Sequence, residues 1–399
     1  MDVFKMALAS ICLIWYVFLA FLDLMSIYIA KTKLNNKKRS APKTKCSPIT
    51  GVSIIKPMHE YDESLVENLE SFFKLNYPLY EILFCVADDE KNVLNVVENL
   101  IKKYPKVSTH VFETSENIEK VNPKINNMKP AYMAAKYDFV LISDSRIKML
   151  EDTLNDMMDQ MDEETAVVFQ LPFVYRHDGF SSTIEKIFFG VWSAKSTLIM
   201  TYILKQPFLN GMSCLIKKQT LDDIGGMSEF REYLAEDNVM VTYLIEKGWK
   251  IKMSSQPAWQ NHSRTNIAAF HNRMLRWAQI RYEMSSFVFF LEFTSDCAFN
   301  GILAAWSLNV LFQVNSLAFY AFHLFLYSVF DYLLLCIVND KPLPFGKLEF
   351  LLGWMFINLF LYFIRIEALL FDEIKWGKNT FKIKSKSFIC TKQVKSEML

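Results

Sequence analysis

Two periodicities divide this chain. From Gly51 to about residue 283, short apolar runs alternate with stretches that carry an apolar residue every three or four positions. Gly51-Val52-Ser53-Ile54-Ile55 closes near Pro57 and predicts a buried strand. Leu65, Leu69 and Phe72-Phe73 give residues 62–74 helical spacing. Glu81-Ile82-Leu83-Phe84-Cys85-Val86 predicts a second strand, ending at Ala87-Asp88-Asp89-Glu90. Val93, Leu94, Val97 and Ile101 stripe the next helix, and Phe139-Val140-Leu141-Ile142 predicts another strand, ending at Ser143-Asp144-Ser145. This strand–helix order implies an α/β domain whose sheet is mostly parallel, with helices on both faces.

Outside that region the apolar pattern is continuous. Residues 6–30 carry one charge, Asp23. About 20 such residues in a helix span a hydrocarbon core of about 30 Å. A cleaved signal peptide is the alternative, but the run is long and no small-residue cleavage site follows it. Three further stretches, roughly 286–312, 316–338 and 349–371, are also apolar. The first holds Glu292 and Asp296 one turn apart. It reads either as a span with functional carboxylates or as an interfacial helix that enters the bilayer after Asp296. The segments expected are therefore an anchor (1–32), a basic linker (33–49), a catalytic domain (50–283), membrane helices (284–371) and a basic tail (372–399).

Charge orients this arrangement. Lys31, Lys33, Lys37, Lys38, Arg39, Lys43 and Lys45 follow the first run and place residue 31 onward in the cytoplasm. Four spans would leave the tail on the opposite side, yet residues 375–395 carry seven lysines, which favours the cytoplasm. Both readings stay open in the sequence. Residues 184–209 mix Phe188, Phe189, Trp192 and Tyr202 with Lys186, Lys195 and Lys205, which suits an amphipathic helix lying on the membrane or an ordinary core helix.

Composition removes other classes. The 399 residues are 52% hydrophobic with a net charge of +1, so neither disorder nor a nucleic-acid surface is expected. The seven cysteines are scattered, which argues against a zinc knuckle and a disulfide framework. Asn261-His262-Ser263 is a glycosylation sequon by pattern, left unmodified on the cytosolic side.

The candidate chemistry lies at the strand ends, where open α/β sheets bind ligands. Asp88 and Asp144 occupy two such ends. Asp237, in Ala235-Glu236-Asp237-Asn238, opens a helix, where capping alone can account for an acidic pair. Arg273 and Arg276 share a helix face beside Trp277, a set suited to a diphosphate and a sugar ring. Lys124 is assigned to the donor diphosphate, with plain surface solvation as the alternative.

Three aspartates followed by Arg273-Met274-Leu275-Arg276-Trp277 resemble the signature order of family-2-like GT-A glycosyltransferases, and more closely the ceramide glucosyltransferase family. Further matching blocks are Asn76-Tyr77-Pro78, Asn122-Pro123-Lys124-Ile125-Asn126-Asn127, Ala134-Ala135-Lys136-Tyr137-Asp138 and Gly211-Met212-Ser213-Cys214-Leu215. The resemblance covers almost the whole chain. It implies a GT-A (nucleotide-diphospho-sugar transferase) fold with flanking transmembrane helices, in the Golgi membrane with the catalytic domain facing the cytosol. It further implies inverting transfer of glucose from UDP-glucose to the primary hydroxyl of ceramide, with a divalent cation, Mg or Mn. Asp88 then corresponds to the aspartate near uracil and ribose, Asp144 to the one near the diphosphate and metal, and Asp237 to the base. The chain departs from the pattern at Arg146, where the family has glycine. It also departs at Val191-Trp192-Ser193-Ala194, which lacks a family histidine, and at Phe208-Leu209, which lacks a cysteine. A processive polysaccharide synthase and a catalytically impaired scaffold of the same fold are the alternative readings.

Overall fold

A computed structural model describes residues 3–35, 50–58, 60–87, 89–114, 122–206, 208–263, 266–371, 373–376, 379–383 and 390–394. Asp88, most of the basic linker and much of the tail lie outside these residues.

In chain order the strands are β1 (Val52–Pro57), β2 (Tyr80–Ala87), β3 (Ser108–Thr114), β4 (Phe139–Ser143), β5 (Ile147–Lys148), β6 (Thr165–Phe169) and β7 (Pro172–Val174). They continue with β8 (Ser213–Lys217), β9 (Lys250–Met253), β10 (Ala258–Gln260), β11 (Glu373–Trp376), β12 (Asn379–Ile383) and β13 (Cys390–Val394). The helices are α1 (Val3–Lys33), α2 (Leu65–Phe73), α3 (Lys91–Lys103), α4 (Pro123–Ala134), α5 (Thr153–Asp159), α6 (Phe180–Ile187) and α7 (Ala194–Tyr202). After them come α8 (Lys218–Asp222), α9 (Glu236–Glu246), α10 (Ile267–Met284), α11 (Ser286–Ser295), α12 (Cys297–Phe312), α13 (Ser316–Asn339) and α14 (Lys347–Leu370).

Seven strands form the central sheet in the order β3-β2-β1-β4-β8-β6-β9. β1 pairs in parallel with both β2 and β4. β8 runs antiparallel to β4 and β6, so the sheet is mixed but mostly parallel. The chain moves outward from β1 to β3, then returns to place β4 on the other side of β1. That reversal opens a crevice at the carboxyl ends of the strands. Continuous apolar runs mark these strands because both faces are covered. Ile54 points into a core with Leu69 and Phe72 of α2, while Ile55 points into one with Ile125 and Met128 of α4.

The apolar stretches are helical. α1, α13 and α14 are long and apolar enough to cross a membrane. α11 and α12 would form a fourth span only as a pair bent by 63°. The break falls at Asp296, which pairs with Arg365 of α14. Glu292 pairs with Arg281 at 2.9 Å. The carboxylates of this stretch are thus partnered, and α11 is a separate helix that precedes Asp296.

The segment expected as an amphipathic surface helix is instead α6, one π-helical stretch over Phe188–Ser193, and α7. Ile184, Phe189, Val191 and Leu198 are all fully buried. A Cβ on Gly190 would lie 2.4 Å from Leu335 Cδ1 and 2.9 Å from Phe173 Cε2, so this glycine lets the segment press against α13 and β7. The segment therefore belongs to the core between sheet and membrane helices. Its Lys195 lies 2.9 Å from Asp23 of α1 and 2.6 Å from Asp331 of α13. Asp331 also accepts from Trp354 Nε1 of α14 at 2.7 Å.

Among the described cysteines, Cys12, Cys85, Cys214, Cys297 and Cys336 are free thiols. Asn261 of the sequon is fully buried, and its amide donates to Asn68 and Glu67, so no sugar can reach it.

Candidate active site

Asp144 ends β4 at the crevice. Its backbone N–H donates to Met212 O at 2.9 Å, and its carbonyl accepts from Lys56 Nζ at 2.7 Å. Lys56 is wholly buried on β1 beneath the Phe72 ring. Loss of hydration holds its ammonium well below the usual lysine range. Sequence reasoning missed this lysine because it sits inside an apolar strand.

Lys124 comes from the first turn of α4. Pro123 starts that helix and the Asn122 side chain caps it, accepting from Lys124 N and Ile125 N. The Lys124 side chain is 18% exposed, which removes the surface-solvation alternative. Its ammonium donates to Gly211 O at 2.7 Å and lies 3.0 Å from Asp144 Oδ1 and 3.7 Å from Glu236 Oε1. Burial opposes this charge, but Asp144, Glu236 and Asp237 outweigh it and raise Lys124 above its ordinary range.

Asp237 sits in the first turn of α9. Its Oδ2 accepts from Gly211 N at 2.5 Å, and its Oδ1 accepts from Asn238 N at 2.9 Å. Glu236 Oε2 accepts from Asn122 Nδ2 at 2.8 Å. Both acids border a small cavity otherwise walled by groups such as Ile125, Met128, Leu221, Phe230 and Met240. Burial raises Glu236 to about 7 against the pull of Lys124, with the Asp237 charge adding to the rise. Asp237 is raised too, first by burial. Glu236 is a site residue that the sequence disguised as a helix cap.

A second cluster gathers around Arg273. Arg273 of α10 donates to Glu185 Oε1 at 3.0 Å and to Gln260 Oε1 at 3.2 Å. His262 Nε2 lies 3.1 Å from the other Glu185 oxygen. Burial would raise Glu185, but Arg273 and His262 bring it below the ordinary range. Burial lowers Arg276 to about 10, with the charges of Arg273 and Arg146 adding to the effect. Arg146 is exposed two residues past Asp144, and its carbonyl accepts from Asn261 N at 2.7 Å. Trp277 is half-buried, with Phe189 edge-on at 6.1 Å and the Arg273 guanidinium 5.9 Å from its ring.

The structure thus joins Lys124, Asp144 and Asp237 in one network and gathers Arg273, Arg276 and Trp277 with Arg146 in another. Asp88 follows the end of β2 and lies outside the described residues. Glu185 and His262 carried no sequence signal, since Glu185 lies far along the chain from both Arg273 and His262, the residues it pairs with.

A mixed, mostly parallel sheet with carboxylates at its switch point and buried arginines on α10 defines a GT-A-like nucleotide-sugar transferase fold. The chain's fold is similar to that of a mannosyltransferase from Pyrobaculum calidifontis, solved with GDP-Man and Mn2+, at a TM-score of 0.50 and 16% identity. The alignment covers 92% of this chain and 99% of that one. The chain belongs to glycosyl transferase family 21, whose model matches residues 18–389. It is 36% identical to ceramide glucosyltransferase 3 of Caenorhabditis elegans, over 94% of this chain and 81% of that protein. Ceramide glucosyltransferase 1 of the same organism is 35% identical over 96% of this chain and 81% of its own length.

Proposed function

We propose that this chain synthesises glucosylceramide by direct displacement on UDP-glucose, with Asp237 as the base. Ceramide glucosyltransferase activity follows from family membership and from relatives matched over nearly the full length. The observation that carries the residue-level reading is the double pinning of Asp237 by Gly211 N–H and Asn238 N–H at the crevice.

A primary alcohol is a weak nucleophile, and a positioned carboxylate contributes about 10²–10⁴-fold. Asp237 takes the proton of the acceptor hydroxyl as that oxygen bonds to C1 of glucose. The C1–O bond to the diphosphate breaks, and UDP leaves with the electron pair. One displacement inverts the anomeric centre, turning an α-linked donor into a β-glucoside. Charge building on the diphosphate meets Arg273 and Arg276, donors already fixed in a buried setting. Trp277 lies beside them for the sugar ring, and Asp88 is assigned to the nucleoside end. Lys124 pairs with Asp144 and Glu236 at the crevice, and it is assigned to the donor diphosphate beside Asp144.

Asp144 is also the residue to hold a divalent cation. Its side chain is 35% exposed and offers hard oxygen donors. Among the described residues no three His, Cys, Asp or Glu side chains cluster to hold a metal. This donor set fits Mg2+ or Mn2+ bound through one carboxylate, waters and the donor's own phosphates. Such an ion, when bound, adds positive charge beside the leaving group. A Golgi membrane with the catalytic domain in the cytosol, where nucleotide sugars are made, is the setting we assign.

Radiolabelled UDP-glucose and ceramide test this reading with the purified chain and Asp237→Asn. Lipid-linked glucose from the wild type, lost by at least about 10² in the mutant, is expected. Label in a polymer would favour the synthase reading, and no product with any divalent metal would favour the scaffold.

A further inference from the structure

By length and hydropathy α14 qualifies as a membrane span. Its 24 residues extend about 36 Å, enough for a core of about 30 Å. Its surroundings contradict that role, because both of its ends rest on the catalytic domain.

At the first end, Glu349 Oε1 accepts from Thr183 Oγ1 at 2.5 Å and lies 3.6 Å from His177 Nε2. The Phe345 ring, just before the helix, sits 5.5 Å from His177. Arg176, next to His177, pairs with Glu67 on α2, at the surface of the α/β domain. At the other end, Glu367 lies 2.8 Å from His271 of α10. Gln279 Nε2 donates to the carbonyls of Phe371 and Glu373 at 2.8 and 3.1 Å. The β11–β12 hairpin then packs Ile374 and Phe381 against Leu234 and Ile280, and Leu234 lies two residues before Glu236. A helix cannot cross a bilayer and meet the same water-soluble body at both ends.

We infer that α14 lies along the leaflet that faces the catalytic domain and does not cross the bilayer. One face of the helix is covered, with Trp354, Ile357 and Ile364 buried against α6, α10 and α13. The opposite stripe, Leu348, Met355, Leu359, Phe363 and Leu370, is 53–71% exposed. This stripe matches acyl chains, and Ile14 of α1 and Phe325 of α13 are likewise apolar and exposed.

The crossings then follow. Asn35, just past α1, donates its backbone N–H to Ser255 O and its side chain to Ile337 O near the end of α13. α1 and α13 therefore end on the catalytic side, α12 leads outward, and residues 313–315 turn on the far side. The crossings are α1, the bent α11–α12 pair and α13. The chain after α14 stays with the catalytic domain, which is where its lysines belong.

Sealed proteoliposomes with the catalytic domain outward test this on the full-length chain. A viral-protease site is inserted with spacers after Lys106 as reference, at residues 313–315, after Lys341 and at the C terminus. Cleavage from outside at Lys106, Lys341 and the C terminus, with the 313–315 site cut only after detergent, is expected. Opposite protection of the Lys341 and C-terminal sites would overturn the inference. Endoproteinase Lys-C, which unlike trypsin cuts the Lys341–Pro342 bond, gives the same decision on the unaltered chain. Cutting after Lys341, after Lys106 and in the tail together supports an in-plane α14. Cutting at only one of Lys341 and the tail means that α14 crosses.

Discussion

The backbone N–H of Gly211 donates to Oδ2 of Asp237 at 2.5 Å, so a loop residue with no side chain fixes the carboxylate assigned as base. A Cβ at position 211 would stand 2.7 Å from that oxygen and 3.0 Å from Asp237 Cγ. Gly211→Ala must therefore displace the carboxylate. A misplacement of about 1 Å costs about 10²-fold in rate. We expect kcat to fall by that order with donor KM and melting temperature little changed. A mutant with wild-type kcat would show that the contact does not position the base.

The upward shifts of Glu236 and Asp237 set the pH profile. Glu236 is raised to about 7, chiefly by burial, and Asp237 shifts the same way. A raised carboxyl keeps its proton to higher pH, and Asp237 accepts a proton only when ionised. The acid limb of the rate should therefore lie above the ordinary carboxylate range. Glu236→Gln removes one of the two coupled negative charges, so the acid limb should move to lower pH. A kcat profile measured for both proteins checks the direction.

Lys124 neutralises three acids at once. Lys124→Met leaves Asp144 and Glu236 facing each other without a cation. Hydrogen bonds to charged groups contribute about 1.5–3 kcal/mol each, and we expect a loss of that order in urea unfolding of the soluble region. Activity should fall further than stability alone explains. Lys124→Arg should not restore it, because a planar guanidinium cannot replace contacts made in three directions.

Lys195 carries a comparable load at the membrane side. Removing the cation of a buried pair costs about 3–5 kcal/mol because it leaves charge unpaired. Lys195→Met should lower the thermal stability of the detergent-solubilised protein, and adding Asp331→Asn should recover part of the loss. Equal stability of the single and double mutants would contradict the coupling.

Much of the fold was legible because burial writes itself into sequence. Ile54-Ile55 and Val140-Leu141 are apolar in succession since both sheet faces are covered, and each marked its strand. Asp144 was legible as a strand end. The partners of these residues were not, because they meet across long separations: Lys124 finds Glu236, and Arg273 finds Glu185. The 184–209 segment misled for a different reason. Its lysines suggested water, but Lys186 is buried with its ammonium on Val174 O, and Lys195 is held between two aspartates. Hydropathy alone does not separate the two settings of α14, because an apolar helix reads the same whether it crosses a bilayer or lies along one leaflet.

The position of Lys195 between Asp23 and Asp331 fixes an order of assembly during synthesis. Asp23 is made first, and the catalytic sheet has all its strands by Met253, well before Asp331 emerges. Until α13 is made, Lys195 has one of its two aspartates. The nascent chain therefore carries a completed catalytic sheet with its membrane side still open, and only the arrival of α13 closes it.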